Sequence, residues 1–160
     1  MLHKRSIGAM AALTAVVAAL GLVGSALADD DGDDRVLRSE LIGNVALNQG
    51  GATLFGVPPA GASWVVASSD VDVRRDGRIK VKFEGLVLVT TGGVGNNTAV
   101  IASLFCDGEL VRSTEPFALS PEGDGETDTS IGEVPDPCRV PTVFVRPARE
   151  NPPYFAVTGA

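Results

Sequence analysis

A run of closely spaced oxygen-bearing side chains, EGDGETDTSIGE, spans residues 122–133. Acidic or hydroxyl residues occupy its first, third, fifth, seventh, ninth and twelfth positions, which is close to the ligand spacing of a calcium-binding loop. In that interpretation five carboxylates surround a hard cation: Glu122, Asp124, Glu126, Asp128 and Glu133. The segment is therefore a candidate metal site, with calcium as the candidate cofactor.

The same segment departs from a calcium loop in specific ways. The sixth position, where the sharp turn needs glycine, is Thr127, and the first is Glu122 rather than the shorter aspartate. No helical pattern flanks the segment. The alternative is a turn over residues 121–125 followed by a strand whose alternate side chains, from Glu126 onward, face solvent. We favour the strand and keep calcium binding as the alternative.

Two aromatic residues are candidates for a ligand platform. Trp64 follows a Gly/Pro-rich stretch, and Tyr154 follows two prolines. Exposed rings in such places can bind a glycan or a peptide, but the same residue types more often pack in the core or at the ends of a sandwich.

Catalysis by a histidine base is excluded for the mature chain. The single histidine is His3, in a segment that we expect to be removed, so neither a Ser-His-Asp nor a Cys-His pair can form. Only carboxylates are left for acid and base chemistry, and no spacing singles out a facing pair. We therefore predict that the protein is not an enzyme.

The N-terminus has the three parts of a signal peptide. Lys4 and Arg5 precede an apolar run over residues 7–23, and the small-x-small sequence at 26–28 fits a cleavage site. We expect cleavage after Ala28 and a secreted, extracytoplasmic protein without a membrane span. The alternative is an uncleaved anchor, because the run approaches the length that crosses a bilayer.

The elements that must hold these side chains belong to one acidic domain. Cleavage would leave 132 residues with 11 basic and 20 acidic side chains, a formal charge of −9, which makes nucleic acid an improbable partner. We expect an acidic disordered tail over residues 29–34 and a single domain over residues 35–160. Its two cysteines, Cys106 and Cys138, are expected to form a disulfide in an oxidising compartment, the alternatives being free thiols or a bridge between chains.

Short runs of valine, isoleucine, threonine and phenylalanine between glycines and prolines predict an all-β fold. The clearest hairpin spans residues 68–85, and a three-residue loop with Gly77 in the left-handed position places its apolar residues opposite one another. That register sets Val73 against Ile79 and also pairs Asp72 with Lys80 across the outer face. An Asp-Gly pair at 107–108 predicts a second hairpin.

Seven to nine strands at this spacing predict a single antiparallel β-sandwich of immunoglobulin-like or related topology. Residues 86–89 are apolar at every position, so we expect a strand buried on both sides. Pro141, inside another apolar run, predicts a sheet edge or a bulge.

The chain also resembles a group of short bacterial proteins that carry signal peptides and have no assigned function. The matching features are VPPAGASWVV (57–66), the hairpin RDGRIKVKFEGLVL, the segment PDPCRVPTVFV and the terminal YFAVTG. The resemblance covers nearly the whole mature chain and implies an exported β-sandwich with one cysteine pair. It implies no activity, so we expect a non-catalytic structural or interaction role, with an unknown protein or cell-surface partner at or outside the envelope.

Overall fold

The computed structural model describes residues 34–159. The predicted signal peptide, residues 1–28, and the tail up to residue 33 lie outside the described part. Asp34, which the sequence assigned to the disordered tail, is instead tied to the domain, because its carbonyl accepts a hydrogen bond from Arg75 N at 2.8 Å. No helix between residues 34 and 159 is long and apolar enough to cross a membrane.

The described chain is all β apart from one short 3-10 turn at Leu47–Gln49. Nine of its twelve strands have three or more residues, which agrees with the expected number. The strands are β1 (Arg35–Ser39), β2 (Leu41–Gly43), β3 (Trp64–Val65), β4 (Ser68–Arg74), β5 (Arg78–Glu84), β6 (Val87–Leu88), β7 (Ala99–Cys106), β8 (Glu109–Ser113), β9 (Phe117–Ala118), β10 (Gly125–Ser130), β11 (Pro141–Pro147) and β12 (Ala156–Thr158).

Two antiparallel sheets pack together, which confirms the predicted sandwich. The four-stranded sheet has the order β1-β4-β5-β10. The six-stranded sheet has the order β2-β12-β11-β7-β8, with β9 pairing a second part of β7. β3 and β6 form a small separate ladder. The chain passes directly from one large sheet to the other between β1 and β2, at Glu40.

The core lies between the inner faces of these sheets. Alternation dictates its composition, because every second residue of a strand points to the same face. From the four-stranded sheet come Val71, Val73, Ile79, Val81 and Phe83, each at most 1% exposed. The six-stranded sheet contributes Val100, Ala102, Leu104, Val143 and Val145, all 0% exposed.

The long hairpin has the predicted register. Val73 lies opposite Ile79, and Asp72 lies opposite Lys80. Gly77 has a φ of 87°, the left-handed conformation that a three-residue loop requires and that glycine adopts without steric cost. The hydrophobic pattern and the turn chemistry agree here, which is why the register could be derived from the sequence.

Two sequence interpretations were wrong. The run 86–89 is not a strand buried on both sides: Leu86 is fully buried, but Val89 is 58% exposed, because only Val87–Leu88 pair and they pair with the short β3. Pro141 marks neither an edge nor a bulge. It is the first residue of β11, a central strand between β7 and β12, and the start of a strand tolerates a missing N–H.

Candidate functional site

The acidic segment folds as a turn and an edge strand. β10 pairs with β5 along its whole length, with Glu126 opposite Lys82 and Asp128 opposite Lys80. Thr127 and Thr129 lie opposite the buried residues Val81 and Ile79. The strand interpretation of this segment is therefore confirmed.

The structure does not bring the five proposed calcium ligands together. Asp124 lies in the preceding turn, and its carboxylate accepts a hydrogen bond from the N–H of Gly85, just after β5, at 3.0 Å. Glu122 and Glu133 are exposed on either side of β10. Strand geometry spaces Glu126 and Asp128 by about 6.7 Å along one face. No group of three or more His, Cys, Asp or Glu side chains in residues 34–159 is placed to hold a metal ion. A calcium loop would need a tight turn where this chain continues as a strand.

Asp128 is held by a basic partner on β5 in a two-pronged contact. Arg78 donates from Nε to Oδ1 at 3.0 Å and from Nη2 to Oδ2 at 2.9 Å. This hydrogen-bonded pairing lowers the pKa of the Asp128 carboxyl and raises that of the Arg78 guanidinium. Asp128 is thus more firmly ionised than an ordinary aspartate, which is opposite to what a general acid at neutral pH needs.

The outer face of the four-stranded sheet, which we call the charged face, alternates in sign from strand to strand. The register places basic residues of β1 and β5 beside acidic residues of β4 and β10. Along each central row of facing residues across the sheet, the sign of the side-chain charge therefore changes at every strand. One row consists of Arg38, Asp72, Lys80 and Asp128, and the next of Asp70, Lys82 and Glu126. Arg35 Nε also lies 2.8 Å from Asp72 Oδ2. Opposite charges in facing positions stabilise the pairing modestly.

The proposed aromatic platform is not at the surface. Trp64 is 3% exposed and stacks on Phe155 with ring centroids 4.0 Å apart. Tyr154 is 4% exposed, and its hydroxyl donates to Ala52 O at 2.9 Å. Burial raises the pKa of this phenol. Both rings fill the interior, as the alternative interpretation expected.

The expected disulfide is present, and it anchors the chain between β10 and β11 to the end of β7. Cys106 and Cys138 are bonded with an S–S distance of 2.03 Å. Next to it, Asp107 occupies the predicted Asp-Gly turn with a φ of 54°, and its carboxylate accepts a hydrogen bond from Val140 N at 3.0 Å. The two contacts fix residues 138 and 140 of this segment to the end of β7 and the start of the turn.

Sequence reasoning missed a buried arginine on the outer face of the six-stranded sheet. Arg146 is 8% exposed and donates to Pro152 O from Nε at 3.0 Å and from Nη2 at 2.8 Å. Burial lowers the pKa of its guanidinium. This side chain clamps the segment 148–154 onto the sheet. In the sequence, only the prolines clustered after Arg146 indicate that the following segment folds back on the sheet.

An aromatic residue at the tip of a tight turn was also missed. Phe55 has a φ of 49°, a left-handed conformation that a bulky residue rarely adopts, and the turn is closed by hydrogen bonds in both directions between Leu54 and Val57. Its ring, 43% exposed, stacks on Phe105 at 6.2 Å.

No protein-family model matches this chain, and no curated protein or solved structure matches it either.

Proposed function

We propose that this protein is exported and works at or outside the cell envelope as a non-catalytic module that binds another macromolecule. The charged face carries the proposal. It is a broad, solvent-accessible surface on a rigid sheet, and its side chains are held in place by pairs such as Arg78 with Asp128. Ordered charges of alternating sign give specificity and orientation to an encounter.

The ionisable groups of this face support binding more than chemistry. A catalytic carboxylate needs a raised pKa or a substrate-facing cleft, whereas Asp72 contacts Arg35 and Asp128 contacts Arg78. In the free protein these acids form cross-strand pairs. For Asp128 the pairing with Arg78 lowers the pKa of the carboxyl, which favours the ionised form.

The disulfide supports the exported location. Bonds such as Cys106–Cys138 persist in oxidising compartments and are rare in the cytosol. A covalent link over a separation of 32 residues stabilises the fold by about 3–4 kcal/mol on the chain-entropy estimate, which suits a small domain that works outside the cell.

Export is tested by fractionating cells that produce the full chain and measuring the intact mass of the protein outside the cytoplasm. We expect a chain that begins at Asp29 and gains about 2 Da on reduction, since one bond between two cysteines takes up two hydrogens. A full-length, reduced protein confined to the cytoplasm would overturn the proposal.

Binding is tested by placing a photoreactive side chain at Lys80, in the middle of the charged face, and irradiating intact cells. A matched control carries the same group at Val89, which is 58% exposed on a different surface. We expect one discrete cross-linked species from position 80 and none from position 89. Specific turnover of a substrate, lost on substitution of a single carboxylate, would contradict the non-catalytic role.

A further inference from the structure

The edges of the two large sheets are not equally protected. An open strand edge offers unpaired N–H and C=O groups to another chain, and bulges, short strands and covering segments are common ways to block it. The pairing of β1 is interrupted between Arg35 and Leu37. The pairing of β8 is interrupted at Val111, because Leu104 and Phe105 of β7 pair with Arg112 and Leu110. β2 has three residues and is covered by the segment that carries Trp64, whose N–H donates to Asn44 O.

The second edge strand of the four-stranded sheet, β10, has none of these protections in the described part of the chain. Its six residues pair with β5 without a break, and its sequence GETDTS contains no lysine and no proline. The other sheet approaches the start of β10, where Gly125 lies against Ala118, and within residues 34–159 no strand pairs with the far side of β10. The strand from Glu126 to Ser130 is therefore a regular edge about 17 Å long.

The direction of the backbone groups on β10 follows from one hydrogen bond. Ile131 N donates to Gly77 O at 2.9 Å, so the odd-numbered residues of this ladder bond to β5. Neighbouring residues in an antiparallel ladder alternate in direction. Glu126, Asp128 and Ser130 consequently direct their N–H and C=O groups away from β5, toward the open edge.

The charge order on this face specifies what could pair there. Each central row ends on an acid at β10, Asp128 in one row and Glu126 in the next, and each acid is preceded by a lysine of β5. A further strand that continued the alternation would carry basic residues at positions i and i+2. β5 itself, with the sequence RIKVKFE, is a strand of this kind and already pairs with the other side of β10.

A second copy of the protein fits this edge poorly. Two β10 strands in antiparallel contact would bring acidic side chains of one copy close to those of the other, and like charges across a ladder are destabilising. The formal charge of −7 on the whole chain adds to the repulsion.

We propose that the open edge of β10, from Glu126 to Ser130, is a docking site for an extended peptide segment with basic residues at alternating positions, which adds to the four-stranded sheet as a fifth strand. Backbone hydrogen bonds provide the contact, and the charge rows select the sequence. The inference rests on the proposed binding function and names its partner class.

The test uses purified protein with its disulfide intact and a synthetic peptide, Thr-Lys-Val-Lys-Val-Lys-Thr. Two control peptides are matched to it. One has glutamate in place of every lysine. The other keeps every side chain but is N-methylated at its lysines, which removes the backbone donors that would face β10. Binding is measured by titration, and the amide resonances of Glu126, Asp128 and Ser130 are followed by NMR. We expect the parent peptide to bind at least about tenfold more tightly than either control, equivalent to about 1.4 kcal/mol.

A pair of protein variants locates the site. Glu126→Lys reverses the charge on β10, and Glu109→Lys makes the same change on the irregular β8 edge; thermal melts check that both fold. We expect Glu126→Lys to weaken binding about tenfold or more and Glu109→Lys to leave it within about twofold.

Each other outcome overturns the proposal. Equal binding of the N-methylated peptide would show charge attraction without strand addition, and equal loss in both variants would show attraction that is not localised to β10. Absence of binding, or a wild-type dimer with β10 amides protected, would exclude the peptide as occupant. Because these measurements use purified protein, their failure leaves the fractionation and cross-linking tests of the proposed function intact.

Discussion

The outer faces of the two sheets differ in their exposure to solvent. The charged face stays in contact with water, and its alternating side chains pair across strands. The outer face of the six-stranded sheet, which we call the covered face, lies beneath the segments 52–59 and 148–154. Its Phe105 and Phe144 form a second apolar cluster with Val57 and Tyr154 of those segments. Two arginines show the difference: Arg78 is exposed and paired with a carboxylate, whereas Arg146 is buried and bonds to a backbone carbonyl.

The difference separates the contacts that stabilise the fold from the surface to which we assign the proposed binding. Buried contacts on the covered face exclude water, so each one contributes strongly and none is free for a partner. Exposed pairs on the charged face contribute little because solvent screens them, and for that reason they can be exchanged for contacts with another molecule.

The largest effect is expected from Phe144→Ala. Phe144 is 0% exposed and contacts both Phe105 and Tyr154, with centroids 5.0 and 5.3 Å away, so its removal leaves a cavity and should lower the free energy of unfolding by about 3–5 kcal/mol. Urea titration followed by the fluorescence of Trp64, the only tryptophan, measures it. Lys80→Ala on the charged face is the control, expected within about 0.5 kcal/mol. Equal losses of unfolding free energy in the two variants would contradict this difference between the faces.

Arg146→Met should have the next largest effect. The substitution keeps most of the volume but leaves Pro152 O without its two donors, and the expected loss is about 1–3 kcal/mol. Hydrogen exchange should rise in residues 148–155, because the clamp on that segment is gone. Arg149→Met, at an exposed neighbouring position, should change neither quantity. Unchanged exchange in Arg146→Met would mean that packing alone holds the segment.

Tyr154→Phe removes one hydrogen bond, from the hydroxyl to Ala52 O, and should cost about 0.5–1.5 kcal/mol. Burial raises the pKa of this phenol above its ordinary 10.0, so its contribution is fully present below the unfolded-state pKa and is lost as the pH rises through the folded-state value. Since the chain has one tyrosine, tyrosinate absorbance reports the titration directly. If the Tyr154 phenol of the folded protein titrated at its ordinary pKa, the ring would be in contact with water and the expected burial would be wrong.

The smallest effect is expected from Asp128→Asn on the charged face. The folded-state pKa of Asp128 lies below its ordinary 3.8 because of Arg78, so the pairing stabilises the fold above the unfolded-state pKa and is lost as the pH falls through the folded-state value. The variant should lose this acid-sensitive part of stability, and added salt should shrink the difference from wild type. Glu126→Gln is the matched control. A larger loss in the control would mean that the pairing with Arg78 is not what stabilises the strand.

Much of the four-stranded sheet could be predicted from residues close together in the chain. The alternation in Val71, Val73, Ile79 and Val81 and the turn at Gly77 fix one register, because a shift by one residue would send the valines to the solvent. The disulfide also followed from two cysteines in a chain with a signal-like N-terminus. Local pattern and global fold agree in these elements.

The covered face could not be predicted in the same way. Phe144 lies between two inward-facing valines, so alternation predicts that it faces the solvent. Loops distant in sequence bury it instead. The same limit applies to the acidic segment. Its residue types indicated the ligand spacing of a calcium loop, and only the tertiary structure showed that Asp128 is bound by Arg78, although Lys80 lies opposite it. Spacing along the chain cannot reveal which basic side chain binds the carboxylate.

The sequence alone determined the all-β class, the central hairpin and the cysteine pair, because each depends on composition or on neighbours within one hairpin. The tertiary structure decided which strand edges are blocked, which face is covered, and that the acids of residues 122–133 end the charge rows of an open edge. These properties arise from contacts between distant segments, and a strand's own residues do not encode what packs on its far side.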